Sequence, residues 1–521
     1  PAEGNFTFSR GTNLSATRID RAGLIVKGRE NVFTYSNDFS NSAWNLKAGT
    51  FTQGVEDPNG GNTAWSWTAQ NTDPYIYQQL SVSGVYTLSI YAKGVGSTIG
   101  ANFQLRNAGL TPNFTLTNEW QRFEIYNIPS NSNLGFEFGN PAVVGDVVHI
   151  FAAQLELGLV ATPYIETGAT SAQAGILENT PRLDYSGGAT CPSLLLEPSR
   201  TNLISQSEYF GGWTLISNGT GSDPVLDFGY ISPGGLNNAY KITLDSGAGT
   251  ATSDESIIYL NKSGVTAGSE HTASVYLKGA VGGEEVIVRD TAGGYKKWTL
   301  TTEWARYEYT QTATATSYAT SFGLRQGLGG VGTINSNAVV YIYGFQSELG
   351  SYPTSYIPTY GVSQTRAGEG KVLTGASNII GQTEGSVYFE FTRDGFAAYT
   401  QRILTLSNGT NSNIIGFQLA ASNSITFYVI NNDSLQAIIT KPNATIANQK
   451  VKVAAGYAEN DFVLYIDGVQ VGAATSGTIP STSVVQNNRP TGGTPFIGNI
   501  YSTLLFPTRL TNAELAALTT I

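Results

Sequence analysis

The residues that could do chemistry in this 521-residue chain are few, and their spacing decides which reactions are open to them. His149 and His271 lie far apart, and Cys191 stands alone. A cysteine-based zinc site and an intrachain disulfide framework are excluded, and neither a His-x-x-x-His metal motif nor a serine triad is expected. Carboxylates remain as material for general acid–base work, and glycosidic cleavage asks for two of them roughly 5–10 Å apart in a cleft. Glu284 with Glu285, Asp254 with Glu255, and Glu384 with Glu390 are the acids available. Adjacent residues on a strand face opposite ways, so solvated acids are expected here rather than a catalytic couple. No phosphate-cradling glycine loop or nucleophile elbow occurs, and the glycine pairs read as turns. The chain is expected not to be an enzyme.

Binding asks for less. A sugar ring stacks its apolar face on exposed Trp and Tyr, while its hydroxyls bond to planar Asn, Gln, Asp and Arg side chains. The glycan-binding candidates are Trp65, Trp67, Tyr75 and Arg106 in the first third of the chain, and Tyr230, Tyr240 and Arg289 in the second. Tyr77, Tyr259 and Tyr295 belong to the same aromatic groups. The competing reading is core or inter-domain packing for the rings and surface ion pairing for the arginines. No cofactor is expected. Structural calcium is the exception left open, because Asp57 and Asn59 in DPNGG offer oxygen ligands in a turn.

The elements that must position these residues repeat. FTYSNDFSNSAWNL at 33–46 parallels LISQSEYFGGWTL at 203–215, and DPNGGNTAWSWT at 57–68 parallels SPGGLNNAYKIT at 232–243, which lacks the aspartate. YTLSIYAKG at 86–94 matches HTASVYLKG at 271–279, FTLTNEWQRFE at 114–124 matches WTLTTEWARYE at 298–308, and VVHIFAAQLELG at 147–158 matches VVYIYGFQSELG at 339–350. Blocks in one order make residues 30–170 and 200–366 two copies of one domain. NFQLRN and VIVRDT then place Arg106 and Arg289 at corresponding points. Trp120/Trp304, Arg122/Arg306, Gln154/Gln346 and Glu156/Glu348 are kept in both copies and are expected to serve the fold.

Short segments alternating apolar and polar residues, rich in Tyr, Phe, Thr and Val and broken by Gly, Asn and Pro, are half-buried antiparallel strands. Antiparallel domains of this size hide their edges as two-sheet sandwiches, so each copy is expected to be a jelly roll, with a closed barrel as the alternative. Residues 367–521 carry a new pattern of strands, a hairpin turn at Asp467-Gly468 and one short helix that Thr511 or Asn512 can cap. Residues 1–29 and 171–199 are left as connectors, the first a candidate docking strand for a neighbouring sheet edge. Lys and Arg number 28 against 38 Asp and Glu, a net −10 with no basic cluster, which argues against a nucleic-acid partner. No stretch is long enough to span a membrane, and PAEGNFTFSRG lacks the apolar core of a signal peptide, so no membrane insertion is expected.

Two resemblances add to this. VLYIDGVQVG and the closing PTRLTNAEL make residues 372–521 similar to the concanavalin-A-like, laminin-G-like lectin sandwich, without the Glu-x-Asp-x-x-Glu spacing of related glucanases. The series SRG-x4-ATRID-x2-GLI, NTPRLDYSGG, CPSLLLEPSRTNLI, S-x-x-F-x-x-x-x-W and AQLELG-x3-TPYI resembles tailed-bacteriophage virion appendages, among them tail-fibre, head-fibre and spike-like proteins. The resemblance covers residues 5–366 and implies an all-β chain of tandem jelly rolls, like carbohydrate-binding modules, ahead of the lectin-like sandwich. It further implies a homotrimer on the surface of the phage particle, with other virion proteins and a host cell-surface glycan as partners. A structural head or tail decoration and a capsule depolymerase are the rival readings.

Overall fold

Strand alternation builds three sandwiches in the computed structural model, which describes residues 6–520 apart from 12–13, 108–111, 129–131, 139–141, 292–293, 394–398 and 446. Strand Tyr86–Val95 shows how: Leu88, Ile90 and Ala92 enter the core of the first sandwich, as the alternation predicts. A front sheet runs Asn45–Lys47, Tyr75–Gln79, Asn133–Phe138, Asn102–Asn107, Asn113–Thr115. The back sheet runs Gly49–Val55, Ala64–Ala69, Val147–Leu157, Tyr86–Val95, Gln121–Asn127.

The second copy repeats both orders. Its front sheet is Thr214–Asn218, Glu255–Lys262, Tyr318–Arg325, Glu285–Arg289, Lys296–Thr299, and its back sheet Ser222–Tyr230, Ala239–Asp245, Asn337–Leu349, Glu270–Gly279, Ala305–Thr312. Each copy closes by pairing its entry with its exit, Arg29–Asn31 with Ala172–Ala174 and Arg200–Asn202 with Gln364–Arg366.

The third sandwich has two seven-stranded sheets, and the segments left as connectors supply three of their strands. Thr7–Ser9 pairs with Gly370–Leu373 at the edge of one sheet. Leu183–Asp184 and Ser193–Leu196 extend the other along Gly498–Phe506. The N-terminal strand thus does cover an exposed edge, but an edge of its own chain. The closing helix, Asn512–Thr519, is capped by Thr511, which exchanges hydrogen bonds with Glu514, and buries Leu515 against the sheet.

A buried ionic cluster joins these parts. Arg182 reaches Glu197 at 2.7 Å and bonds through Nε to Glu369 at 2.7 Å; Arg10 meets Glu369 at 3.0 Å, and Arg366 meets Glu197 at 2.9 Å. Burial acts to raise the Glu197 carboxyl, but Arg366, Arg182 and two hydrogen bonds from Ser355 outweigh it and hold the group down at about 2.

Candidate functional site

The positions kept in both copies form a common frame. Asn31 donates to the carbonyls of Ala153 and Ile165 and accepts from the amides of Phe33 and Leu155. Asn202 does the same with Phe345, Ile357, Ile204 and Ser347. Gln154 and Gln346 each donate to the glutamate two residues on, Glu156 or Glu348, which in turn accepts from the amide and hydroxyl of Thr162 or Thr354. Arg122 and Arg306 bond to Ser89 and Ser274. Trp120 and Trp304 are half-buried, each under a lysine, Lys93 or Lys278.

Three of the aromatic candidates belong to the core. Trp65 and Trp67 share the inward face of Ala64–Ala69, Trp67 fully buried against Phe138 and Trp65 donating to the Asn37 carbonyl at 2.7 Å. Tyr240 faces inward with Ile242 and Leu244 and packs on Phe210. Alternation pairs these rings on one face without saying which face is inside, and burial of large apolar surface settles it. Tyr230 sits at the edge of the back sheet, tied to Asp227 and Lys241, away from the front-sheet candidates.

The calcium candidate is also redirected. Asp57 Oδ1 accepts from the amides of Asn59 and Gly61, and Oδ2 from the amide and hydroxyl of Thr63, so the carboxylate organises its own turn. Asn59 enters through its backbone. Among the described residues no group of three His, Cys, Asp or Glu is placed to hold a metal.

The front sheets keep the remaining candidates. In the first copy Arg106 lies 4.4 Å over the Tyr75 ring and 3.2 Å from Glu137, while Lys47 approaches the same ring and pairs with Asp73. The sequence sets Arg289 at the point corresponding to Arg106, but the strand register moves it. Gly135 and Gly323 occupy the same point of their sheets: a Cβ on either would meet a neighbouring-strand carbonyl, at 2.0 and 2.2 Å. Arg106 stands across from Gly135, whereas Ile287 stands across from Gly323 and Arg289 lies one outward position further on, across from Ser321. Two residues past each glycine, Glu137 in the first copy corresponds to Arg325 in the second.

Around Arg289 the front sheet forms a groove with a volume of about 250 Å³, walled by Ile216, Tyr259, Tyr295, Ser321, Arg325 and Glu255. The Arg289 guanidinium lies 4.9 Å from the Tyr295 ring centre and 4.8 Å from that of Tyr318. Its Nε is buried with no hydrogen-bond partner among the described residues. Arg325 donates to the Tyr295 hydroxyl at 2.9 Å and the Thr252 carbonyl at 2.8 Å, and lies 3.3 Å from Glu255, which also accepts from Asn218 at 2.5 Å. Asp290, next along the strand, faces inward, where Lys262, Ser347 and Thr320 hold it. Burial depresses the Lys262 ammonium, and Asp290 opposes that shift.

Tyr318 and Arg325 were missed by sequence reasoning. Arg325 could have been found, since Phe322 and Leu324 point inward and leave Ser321, Gly323 and Arg325 outward. Tyr318 is the first residue of its strand, where alternation gives no guidance. Five of the six acids considered for catalysis are engaged: Glu284 by the Val281 amide, Glu285 by Lys297, Asp254 by Thr220 and Ala251, Glu255 by Arg325 and Asn218, and Glu390 by Lys450. A larger cavity of about 480 Å³ lies where the second copy, the connector and the third sandwich meet; the Glu197 in its wall belongs to the buried ionic cluster.

Residues 366–516 match the family model of the concanavalin A-like lectin/glucanases superfamily. The third sandwich is a concanavalin A-like domain. No curated protein matches the chain. Among solved structures it is similar to the CBM40 of a Ruminococcus gnavus IT-sialidase bound to alpha2,3 sialyllactose (17% identity, 28% of this chain and 86% of that one, TM-score 0.25). It is also similar to domain 4 of AbnA, a Geobacillus stearothermophilus arabinanase, in complex with arabinotriose (14%, 29% and 73%, 0.24). A third is the heptameric SAP-like pentraxin of Limulus polyphemus (15%, 26% and 70%, 0.23). The sugars named with these structures belong to those proteins.

Proposed function

We propose that the chain is a non-enzymatic appendage of a phage particle that binds a host cell-surface glycan through its front sheets. The observation that carries the binding reading is the groove of the second copy. Tyrosine rings and a guanidinium with no carboxylate partner among the described residues line an open sheet face there, which is the chemistry a sugar ring and its hydroxyls require. The groove holds one carboxylate, Glu255, already paired with Arg325, which supports binding without cleavage. The motif series of residues 5–366 supports the virion setting. A homotrimer would multiply weak sites into avid attachment, because a second contact within one assembly is intramolecular.

The test is an oligosaccharide array probed with the full chain and with Tyr295→Ala. Binding by the wild type that drops about tenfold, worth about 1.4 kcal/mol, in the variant is expected. No binding, or binding indifferent to Tyr295→Ala, overturns the groove as the site. Antibody to the chain should label intact particles and slow their adsorption to cells. Label without any effect on adsorption would favour a structural decoration, and no label would remove the virion role.

A further inference from the structure

The charges of the two front sheets separate what each can accept. In the first copy the outward arginine is neutralised, Arg106 lying 3.2 Å from Glu137. In the second copy the Glu137 position is occupied by Arg325, and every acid near the groove already has a partner. Glu255 is held by Arg325 and Asn218, Glu285 by Lys297 at 2.8 Å and the Asn335 amide, and Asp290 turns inward to Lys262. Arg289 is left as a cation with no carboxylate within 4.0 Å among the described residues.

What does hold Arg289 is two rings, at 4.9 and 4.8 Å. A guanidinium held by rings and not by a carboxylate keeps N–H donors available to an arriving acceptor. Those donors form a fork whose geometry matches a planar carboxylate, and a charge-assisted bidentate pair is about twice as strong as a neutral hydrogen bond.

We infer that the groove around Arg289 in the second copy takes the carboxylate of an acidic sugar, and that the front sheet of the first copy does not. This rests on the glycan-binding reading and names its ligand class. Selectivity between charged and neutral sugars then comes from the second copy alone.

The experiment uses the full chain and a panel of oligosaccharides bearing a uronic or sialic acid, each beside its methyl ester, with sulfated oligosaccharides as a third arm. The free acid is expected to bind at least tenfold more tightly than its ester. Arg289→Gln should abolish that preference, and Arg289→Lys should restore part of it through charge without the fork. Unchanged circular dichroism and melting of both variants would separate this from misfolding. Acid and ester binding alike, or an acid preference that survives Arg289→Gln, overturns the inference and leaves glycan binding standing. Tighter binding of the sulfated arm overturns the carboxylate assignment. No binding to any arm removes the glycan reading itself.

Discussion

Asn31 and Asn202 make the same four hydrogen bonds in the two copies, whereas Glu137 and Arg325, two residues past the same glycine, carry opposite charges. Both asparagines are fully buried, where an unmet donor or acceptor costs about 1–3 kcal/mol. Glu137 and Arg325 sit on outward faces, where water can replace a lost partner. The duplicated domain therefore keeps this asparagine frame and changes its faces. Function is to be sought where the copies differ, and the agreement between them marks the scaffold.

The largest effect should come from a feature the first copy lacks. Arg366, which reaches Glu197, stands where the first copy has Ala174, so the ionic cluster draws no residue from the first copy. Glu197→Gln leaves Arg182 and Arg366 under-compensated in a dry site, and a loss of about 3–5 kcal/mol is expected in urea denaturation. The same carboxyl sets an acid limit. Its folded value, about 2, lies below the ~4.3 of a free glutamate, so its contribution is complete above ~4.3 and disappears as pH falls towards 2. The variant should lose that part of the acid sensitivity, and an unchanged acid profile would show that the cluster does not carry it.

Asn31→Ala and Asn202→Ala form the next test, with about 2–3 kcal/mol lost in each, since each exposes two carbonyls and two amides to an unpaired interior. Near-equal losses sharpen the picture of a shared frame. A difference of several kcal/mol between the two would break it.

The repeat, the strands and the concanavalin-like domain were legible because each depends on local pattern. Other features depended on contacts the pattern does not encode. Thr7–Ser9 finds its partner at Gly370–Leu373, and a three-residue strand carries no local sign of a mate so distant. Trp65 and Trp67, offered as glycan-stacking rings, share one face of their strand, and nothing local said that it is the inner one. Tyr75 and Tyr77 alternate with buried Ile76 and Gln78 and lie on the outward face of their strand. Arg106 and Arg289 aligned as letters, and the register fixed by Gly135 and Gly323 separated them.

The smallest expected change in stability is also the one that most sharpens the contrast between the faces. Burial pushes the Glu137 carboxyl up, Arg106 opposes it, and nearby Asp73 adds to it. A carboxylate with a raised folded value binds its proton more readily in the native state, so its effect on stability turns less favourable as pH rises through that value. Glu137→Gln removes this charge along with a partly exposed ion pair, and the net change at neutral pH should stay within about 1 kcal/mol. A larger loss would make Glu137 part of the frame after all. The variant also frees Arg106 beside Tyr75, giving the first copy a ring-backed cation without its acid, the state Arg289 holds in the second. Titration with an acidic oligosaccharide should then move from one site per chain towards two. A stoichiometry that stays at one would show that the first copy needs more than a released arginine, and would shift the origin of its silence from charge to the shape of the groove around it.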